Sequence, residues 1–256
     1  MIKVAGTLKE IKYFWKNRKI KDNESCPCGS GVEFVSCCKG KPLKVINKSK
    51  KPADVQIMEK MRSKMKRCCM HPDQANCKGK IKGAHALQNN KIISLLAGSE
   101  RHVYMLNAKK KPLLIAMPNG ETIPIVELSK TSANDATTET CFCDLHDNIA
   151  FAVIEKGAPD FDETSEEMKF IYAYKAFIFE YYKQKIAFDI FRDNFKENPA
   201  IFLSLNMVGM YRMLQLKEQE FEPIKSHFDE QIMAGTFDGV VTCAIKIPEQ
   251  IRFAGY

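Results

Sequence analysis

The sequence predicts an α+β protein with a small zinc knuckle near its N-terminus and a second, β-rich zinc module. A C-terminal pair of long helices ending in a strand completes it. Three observations carry this. Nine of the ten cysteines fall in short clusters, at 26–38, 68–77 and 141–143, and only Cys243 stands apart. Residues 103–143 read as β, short strands around a hairpin signal, Asn119-Gly120. Residues 165–235 carry aromatic and methionine side chains at helical spacing.

The 256 residues are enough for one large domain or two smaller ones with a real core. No apolar run reaches the eighteen or so residues that span a bilayer, so no membrane partner is expected. The opening MIKVAGTLKEIKYFWKNRKIK has no apolar stretch of the kind a signal peptide needs. Clustered thiols without such a segment point to metal ligands in a reducing, cytoplasmic compartment rather than to disulfides.

The net charge of +8 is unevenly spread. Residues 1–83 hold 21 Lys and Arg against 7 Asp and Glu, and the remainder holds 18 against 24. A basic head suggests a polyanion partner, nucleic acid first and the ribosome or an acidic protein next. A solvated, lysine-rich linker is the competing reading.

The elements follow in order. Residues 7–20 form a short basic helix carrying Ile11, Phe14 and Trp15. The stretch Cys26-Pro-Cys-Gly-Ser-Gly-Val-Glu-Phe-Val-Ser-Cys-Cys38 offers four thiols in two tight pairs, as a tetrahedral Zn²⁺ site requires. Gly29 and Gly31 let its backbone turn sharply. Residues 39–52 are polar and basic, a linker, and 54–67 a helix. The domains are then 1–45, the basic segment with its knuckle; 46–66, a basic linker and helix; 67–155, the second zinc module; and 156–256, a helical domain ending in a strand.

In the middle, His102–Leu106, Leu113–Met117, Thr122–Leu128 and Thr138–Cys143 are the predicted strands. Farther on, Thr164-Ser-Glu-Glu167 starts a helix as a capping box and runs to about residue 193. Asn198-Pro199 caps a second helix, which Pro223 breaks or kinks and Gly235 ends. The two pack antiparallel, with Tyr174, Phe177, Tyr181, Met207 and Met210 in the core. Val241, Cys243, Ile245 and Ile247 alternate as the last strand.

A second metal constellation joins Cys69 and Cys77 to the pair Cys143-x-x-His146. His71 is a spare candidate. Cys68 and Cys141 read as neighbours rather than ligands, and His102 and His227 as bland. Because this site ties distant parts of the chain, its loss is expected to unfold more than loss of the first, which closes a local loop.

Two resemblances add to this. Cys26, Cys28, Gly29, Ser30, Gly31, Phe34, Cys37 and Cys38 resemble the SEC-C zinc motif, which occurs as an accessory module; the likeness implies a protein partner such as a chaperone or ribosome. Residues 67–155 are similar to the treble-clef arrangement of HNH nucleases, in the order thiol pair, histidine, hairpin strands and Cys-x-x-His entering a helix. The stretches Ala84-His-Ala-Leu-Gln-Asn-Asn90 and Phe142-Cys-Asp-Leu-His-Asp-Asn148 look like those of an uncharacterised bacterial group that pairs the two modules, plausible in defence or mobile-element contexts. The likeness implies a nucleic-acid-binding protein and an HNH-like, Mg²⁺- or Mn²⁺-dependent nuclease. His85 would be the water-activating base and Asp147 a metal ligand, their side chains converging on an open cleft. Ala84 stands where that family carries Asp, His or Glu. Two plainer readings remain beside it: His85 as a structural histidine bonded to a carbonyl, and Asp147 as a helix cap. The alternative function is a non-catalytic adaptor in which both zinc ions are structural.

Overall fold

A computed structural model describes residues 19–42, 67–106, 113–116, 122–125, 127–157 and 160–242; strands 113–116 and 122–125 and positions 90, 91 and 206 are described by backbone alone. The predicted basic helix up to residue 18, the helix at 54–66, the linker beyond Pro42, the Asn119-Gly120 turn and the last strand from Cys243 onward lie outside the described residues.

The chain is mixed α and β. Its strands form three two-stranded antiparallel ladders. The first joins β1 (Ile81–His85) to β6 (Thr138–Cys143), with Ile81 opposite Cys143 and His85 opposite Thr138. The register shifts between Lys82 and Ala84, so three steps along β6 match two along β1. The other ladders are nested inside this one. β2 (His102–Leu106) pairs with β5 (Leu128–Ser132), and β3 (Leu113–Ala116) pairs with β4 (Thr122–Ile125). The predicted strand Thr122–Leu128 is thus two: it stops at Ile125, and Leu128 opens β5.

The chain divides into two compact units, and the division is not serial. One unit takes residues 1–66 and 180–228; the other takes 67–179 and 229–256. Both long helices, α5 (Glu166–Glu197) and α6 (Leu205–Ala234), therefore contribute to each.

In the first unit, the knuckle with its one-turn helix α1 (Phe34–Cys37) is part of the core. Phe34, Cys26 and Cys38 are buried with Phe188, Phe191, Phe195, Tyr211 and Leu214. Phe34 meets Phe195 edge to face, and Phe191 stacks on Tyr211. Here α5 and α6 run antiparallel: the Tyr181 hydroxyl donates to Glu222 and Phe188 packs on Tyr211. Arg212, on α6, donates to Glu24 at 2.6 Å and to the Lys19 carbonyl at 3.0 Å, which binds the knuckle to the helix. Gly29 lies so close to Arg192 that a Cβ there would sit 3.1 Å from its Cδ.

The second unit centres on Phe142, Phe151, Tyr174 and Phe179, which are fully buried and in mutual ring contact. The short helices α3 (Asp144–Ala150) and α4 (Ala152–Glu155) follow β6 directly. A smaller cluster gathers Ile93, Ala97, Ala133 and Ala136 under Leu87, Val103 and Met105; Ala97 ends the one-turn helix α2 (Ser94–Ala97).

Helix ends differ in detail from the sequence reading. Ser165, one residue later than a capping box from Thr164 requires, accepts from the Met168 amide at 3.1 Å; the Thr164 hydroxyl instead donates to Asp162. Pro199 opens a 3₁₀ turn, Pro199–Leu203, not the helix after it. Helix α6 runs through Pro223 unbroken. It ends at Gly235, φ 66°, where the Thr236 amide bonds the Gln231 carbonyl and the Gly235 amide that of Ile232, a Schellman ending. The core stripe also shifts. Tyr174 and Tyr181 are buried as expected, but Phe177 and Met207 are half-buried and Met210 is exposed. Helix α6 turns Val208, Tyr211 and Leu214 inward, and Tyr211 and Leu214 join the aromatic cluster that Phe188, Phe191 and Phe195 of α5 build. Among the described residues no helix is long and apolar enough to cross a membrane.

Candidate metal centres

The first centre is built by a tight loop. The Cys26 amide bonds the Val32 carbonyl at 2.8 Å and the Gly29 amide bonds the Cys26 carbonyl at 3.0 Å. Gly29 and Gly31 both take positive φ, 77° and 74°, which brings Cys28 back over Cys37. The ligand atoms of Cys26, Cys28, Cys37 and Cys38 all lie within 4.8 Å of one another. Cys28 and Cys37 sulfurs are 3.6 Å apart, Cys37 and Cys38 sulfurs 3.7 Å. Four sulfurs about 2.3 Å from a tetrahedral ion stand roughly 3.8 Å from each other, so the cluster fits one ion.

Its electrostatics call for a cation. Burial pushes the Cys26 and Cys38 thiols up. Burial also acts on Cys28, but hydrogen bonds from Ser30 and from its neighbouring thiols bring it down to about 7. Four thiols this close cannot all ionise against each other unless a metal offsets the charge. Outside the ligands, the Ser30 hydroxyl lies 3.2 Å from the Cys37 sulfur, and the Lys41 ammonium donates to the Cys38 sulfur at 3.5 Å. Both reduce the charge such a site accumulates.

The second centre gathers Cys69, Cys77, Cys143 and His146, again with ligand atoms within 4.8 Å. His146 Nδ1 is 3.4 Å from the Cys69 sulfur, 3.6 Å from that of Cys77 and 3.3 Å from that of Cys143. A tetrahedral ion with sulfur at about 2.3 Å and nitrogen at about 2.0–2.1 Å separates these atoms by roughly 3.5 Å. The start of α3 is docked on the Cys77 loop: the Asp144 amide bonds the Lys80 carbonyl and the Leu145 amide that of Lys78. Gly79, φ 79°, is required there, since a Cβ would fall 2.7 Å from that of Asp144. Burial pushes the Cys69 thiol up; at Cys143 the amides of His146 and Lys78 override burial and bring the thiol down.

His71 is not in the ligand set. It is buried, stacked on His146, and its Nδ1 accepts the Asp73 amide at 3.2 Å. Cys68 and Cys141 also stay outside both clusters. Cys141 is fully buried, and burial pushes its thiol up.

The remaining singled-out residues are placed by β1 and α3. His85 ends β1, half-buried, with Nδ1 2.9 Å from the Ala136 carbonyl. That bond fixes the ring and leaves Nε2 as its other nitrogen. Asp147 lies in the first turn of α3; the N-cap of that helix is Cys143, so Asp147 is not its cap. Burial pushes the Asp147 carboxyl up and the Glu155 charge adds to this, against Lys175 and Lys82. Along β1, Lys82 and Ala84 share one side of the ladder with Phe142 and Glu139, and His85 falls on the other with Thr138. The Phe142 side meets the helices, through Phe151 and through the 2.8 Å pair of Lys82 with Asp144. The ladder therefore turns Ala84, not His85, toward the helix bearing Asp147. Asn89 is bonded to Asn134 at 3.3 Å.

Two charged residues escaped the sequence reading. Lys175, on α5, is buried, pairs with Glu155 and lies 4.8 Å over the Phe151 ring. Arg212 is buried at the knuckle. Both occupy helical positions among apolar neighbours, and only their partners, far away in the chain, mark them. Comparison of the chain with protein-family models, with curated proteins and with solved structures finds no match.

Proposed function

We propose that this is a zinc-stabilised, nucleic-acid-binding protein whose two metal ions are structural. The observation that carries it is the closure of both centres: each offers four protein ligands, and a four-coordinate ion held this way keeps no position for a reacting water or substrate. Three or four thiolates per site favour Zn²⁺ over hard cations. The SEC-C likeness of the first centre and the treble-clef likeness of the second point the same way. The basic head, residues 1–83, supplies the electrostatic attraction for a phosphate backbone.

A second reading is favoured by one contact. The bond from His85 to the Ala136 carbonyl orients the ring as a general base requires, with Nε2 available to a water. An HNH-like nuclease would use His85 this way with Mg²⁺ or Mn²⁺ near Asp147. Ala84 toward the helix, with no ligand atom, weighs against it.

The deciding experiment measures metal content, salt-dependent binding and cleavage on one preparation. The proposal expects two zinc ions per chain and binding to DNA or RNA whose log K falls by about 0.9 per duplex phosphate contact against log salt. It expects no cleavage with Mg²⁺ or Mn²⁺. Cleavage lost in His85→Ala with both zinc ions retained would establish the nuclease instead. No binding at low salt would leave the adaptor role, with the knuckle meeting a protein partner.

A further inference from the structure

The two centres differ in how their sulfurs are sheltered. In the first, Cys26 and Cys38 are buried, and the half-exposed pair, Cys28 and Cys37, is capped by one residue. The Ser30 hydroxyl lies 3.2 Å from the Cys37 sulfur, and the Ser30 amide and hydroxyl both bond the sulfur of Cys28. Lys41 bonds the Cys38 sulfur. In the second centre, Cys69, Cys143 and His146 are buried. Amides of His71 and Cys143 bond the Cys69 sulfur, and amides of His146 and Lys78 bond that of Cys143. Cys77 is unlike the rest. It is the one exposed residue in either ligand set, and beside its sulfur stand other ligand atoms, the Cys69 and Cys143 thiols and His146 Nδ1.

A metal holds a cysteine as thiolate, which is the nucleophilic form. Hydrogen-bond donors on the sulfur draw charge from it, and burial keeps reagents away. Cys77 follows a 3₁₀ turn, Gln74–Asn76, in a stretch, 74–80, that is exposed throughout. A reagent in solution meets this thiolate first. Cys68, half-exposed close by, lies outside the ligand set and is a thiol rather than a metal-held thiolate. A second sulfur is at hand as well. The Cys69 and Cys77 ligand atoms lie within 4.8 Å of each other, and of its two thiol neighbours Cys69 interacts with Cys77 more strongly. The exposed stretch that carries Cys77 can bring its sulfur the remaining way to a disulfide bond of about 2.05 Å.

We propose that the second centre is a redox switch in which Cys77 is the thiolate that hydrogen peroxide oxidises and Cys69 the thiolate that resolves it. The inference rests on the zinc reading above. The Cys77 sulfur attacks one peroxide oxygen; an S–O bond forms, the O–O bond breaks, and the leaving hydroxide takes a proton to become water. The Cys69 sulfur then attacks that of Cys77; the S–S bond forms, the S–O bond breaks, and a second hydroxide leaves as water. The two thiolates give up two electrons in all and the peroxide takes them. Zn²⁺ departs with its charge unchanged, because two of its four ligands are now a disulfide. His146, in the first turn of α3, loses the ion that ties it to the Cys77 loop.

The test treats the full zinc-loaded chain with hydrogen peroxide in the presence of a chromophoric chelator. Half of the bound zinc should leave in a fast phase. Peptide mapping after alkylation should then show a Cys69–Cys77 disulfide, with Cys26, Cys28, Cys37 and Cys38 still free thiols. A dithiol reductant with added Zn²⁺ should restore the starting state. Dimedone, which traps sulfenic acids, should label Cys77 before any other cysteine; it reads the wild-type chain, so its result does not depend on a variant folding. Cys77→His, which keeps four ligands, should hold both ions and lose the fast phase. Ser30→Ala, which uncovers Cys28 and Cys37, should hasten release from the first centre. If the first centre gives up its zinc before the second or together with it, or if dimedone labels another cysteine first, the inference fails and the zinc reading stands. If the wild-type chain binds no zinc, both fail together.

Discussion

His71 lies flat on His146, with ring centroids 4.0 Å apart and planes 9° from parallel. His146 is the one nitrogen donor among the ligands of the second centre. A metal-bound imidazole binds well only when its ring is held with the donor nitrogen aimed at the ion. His71 supplies one wall of that restraint, and it is itself held by the Asp73 amide on Nδ1.

His71→Ala should therefore lower zinc affinity at this centre by about 10- to 100-fold, the usual effect of losing an outer partner. His71→Phe, which keeps a flat ring on His146, should lose much less. Competition with a chromophoric chelator, resolving the two centres as separate release phases, would measure both variants. Equal affinities for all three proteins would mean the stack has no part in holding the ligand.

The place of the knuckle in the first unit yields a stability prediction. Phe195 is buried between Phe34 of the knuckle and Phe191 and Phe202 of the helical hairpin. Phe195→Ala should destabilise by about 3–5 kcal/mol in urea unfolding. It should also speed zinc loss from the first centre, because Phe34 is bracketed by Cys28 and Cys37 and loses its anchor. A variant that is destabilised but releases zinc at the wild-type rate would show that knuckle and helices are independent.

What could be read from the sequence divides along the same lines. Both ligand sets were legible, because Cys-x-Cys with Cys-Cys, and Cys-x-x-His, are spacings that short backbone turns impose. Strands β2 and β6 and the long helices were legible from periodicity. The non-serial division was not: it depends on Phe34 finding Phe195 and Arg212 finding Glu24 across much of the chain, and no local pattern encodes such a meeting. The methionine stripe of α6 misled for a related reason. A helix with apolar residues on several sides leaves its inward face to be chosen by the partner, and the rings of α5 chose Val208, Tyr211 and Leu214 over Met210. The relation of His85 to Asp147 turned on strand alternation, which a one-residue register irregularity within β6 makes hard to foresee.

Asp147 gives a pH prediction. Its carboxyl is raised above the ordinary 3.8 by burial and then by the nearby Glu155 charge. A raised carboxyl holds its proton more tightly in the folded state than in the unfolded one. Its contribution is thus most favourable at low pH, declines as pH rises from 3.8 through the folded value, and is a constant cost at neutral pH. Asp147→Asn removes that cost. The variant should be the more stable one at pH 7, and its advantage should shrink toward pH 4. Comparing the difference between the two proteins, rather than either alone, cancels the loss of zinc that both suffer on acidification. A variant less stable than wild type at pH 7 would mean that the Lys175 and Lys82 charges outweigh burial at Asp147.

The last prediction concerns which metal matters more. Sequence distance favours the second centre, whose ligands Cys69 and His146 are 77 positions apart, over the first, a local loop. The structure gives the first centre an equal claim. Cys26 and Cys38 are themselves members of the aromatic core of the first unit, and Arg212 adds a buried ion pair with Glu24 beside them. Without the ion the four thiols take up their protons and nothing ties their sulfurs together, so the loop opens, Phe34 leaves Phe195, and the Arg212–Glu24 pair breaks, a loss of about 3–5 kcal/mol by itself. Cys38→Ser should therefore raise amide exchange in two separate stretches, the knuckle and the helical segments 188–195 and 208–215, while leaving β1, β6 and α3 protected. Cys143→Ser should do the reverse. If Cys38→Ser loosens only residues 25–39, the knuckle is a local clip after all, and the helical hairpin holds its own core.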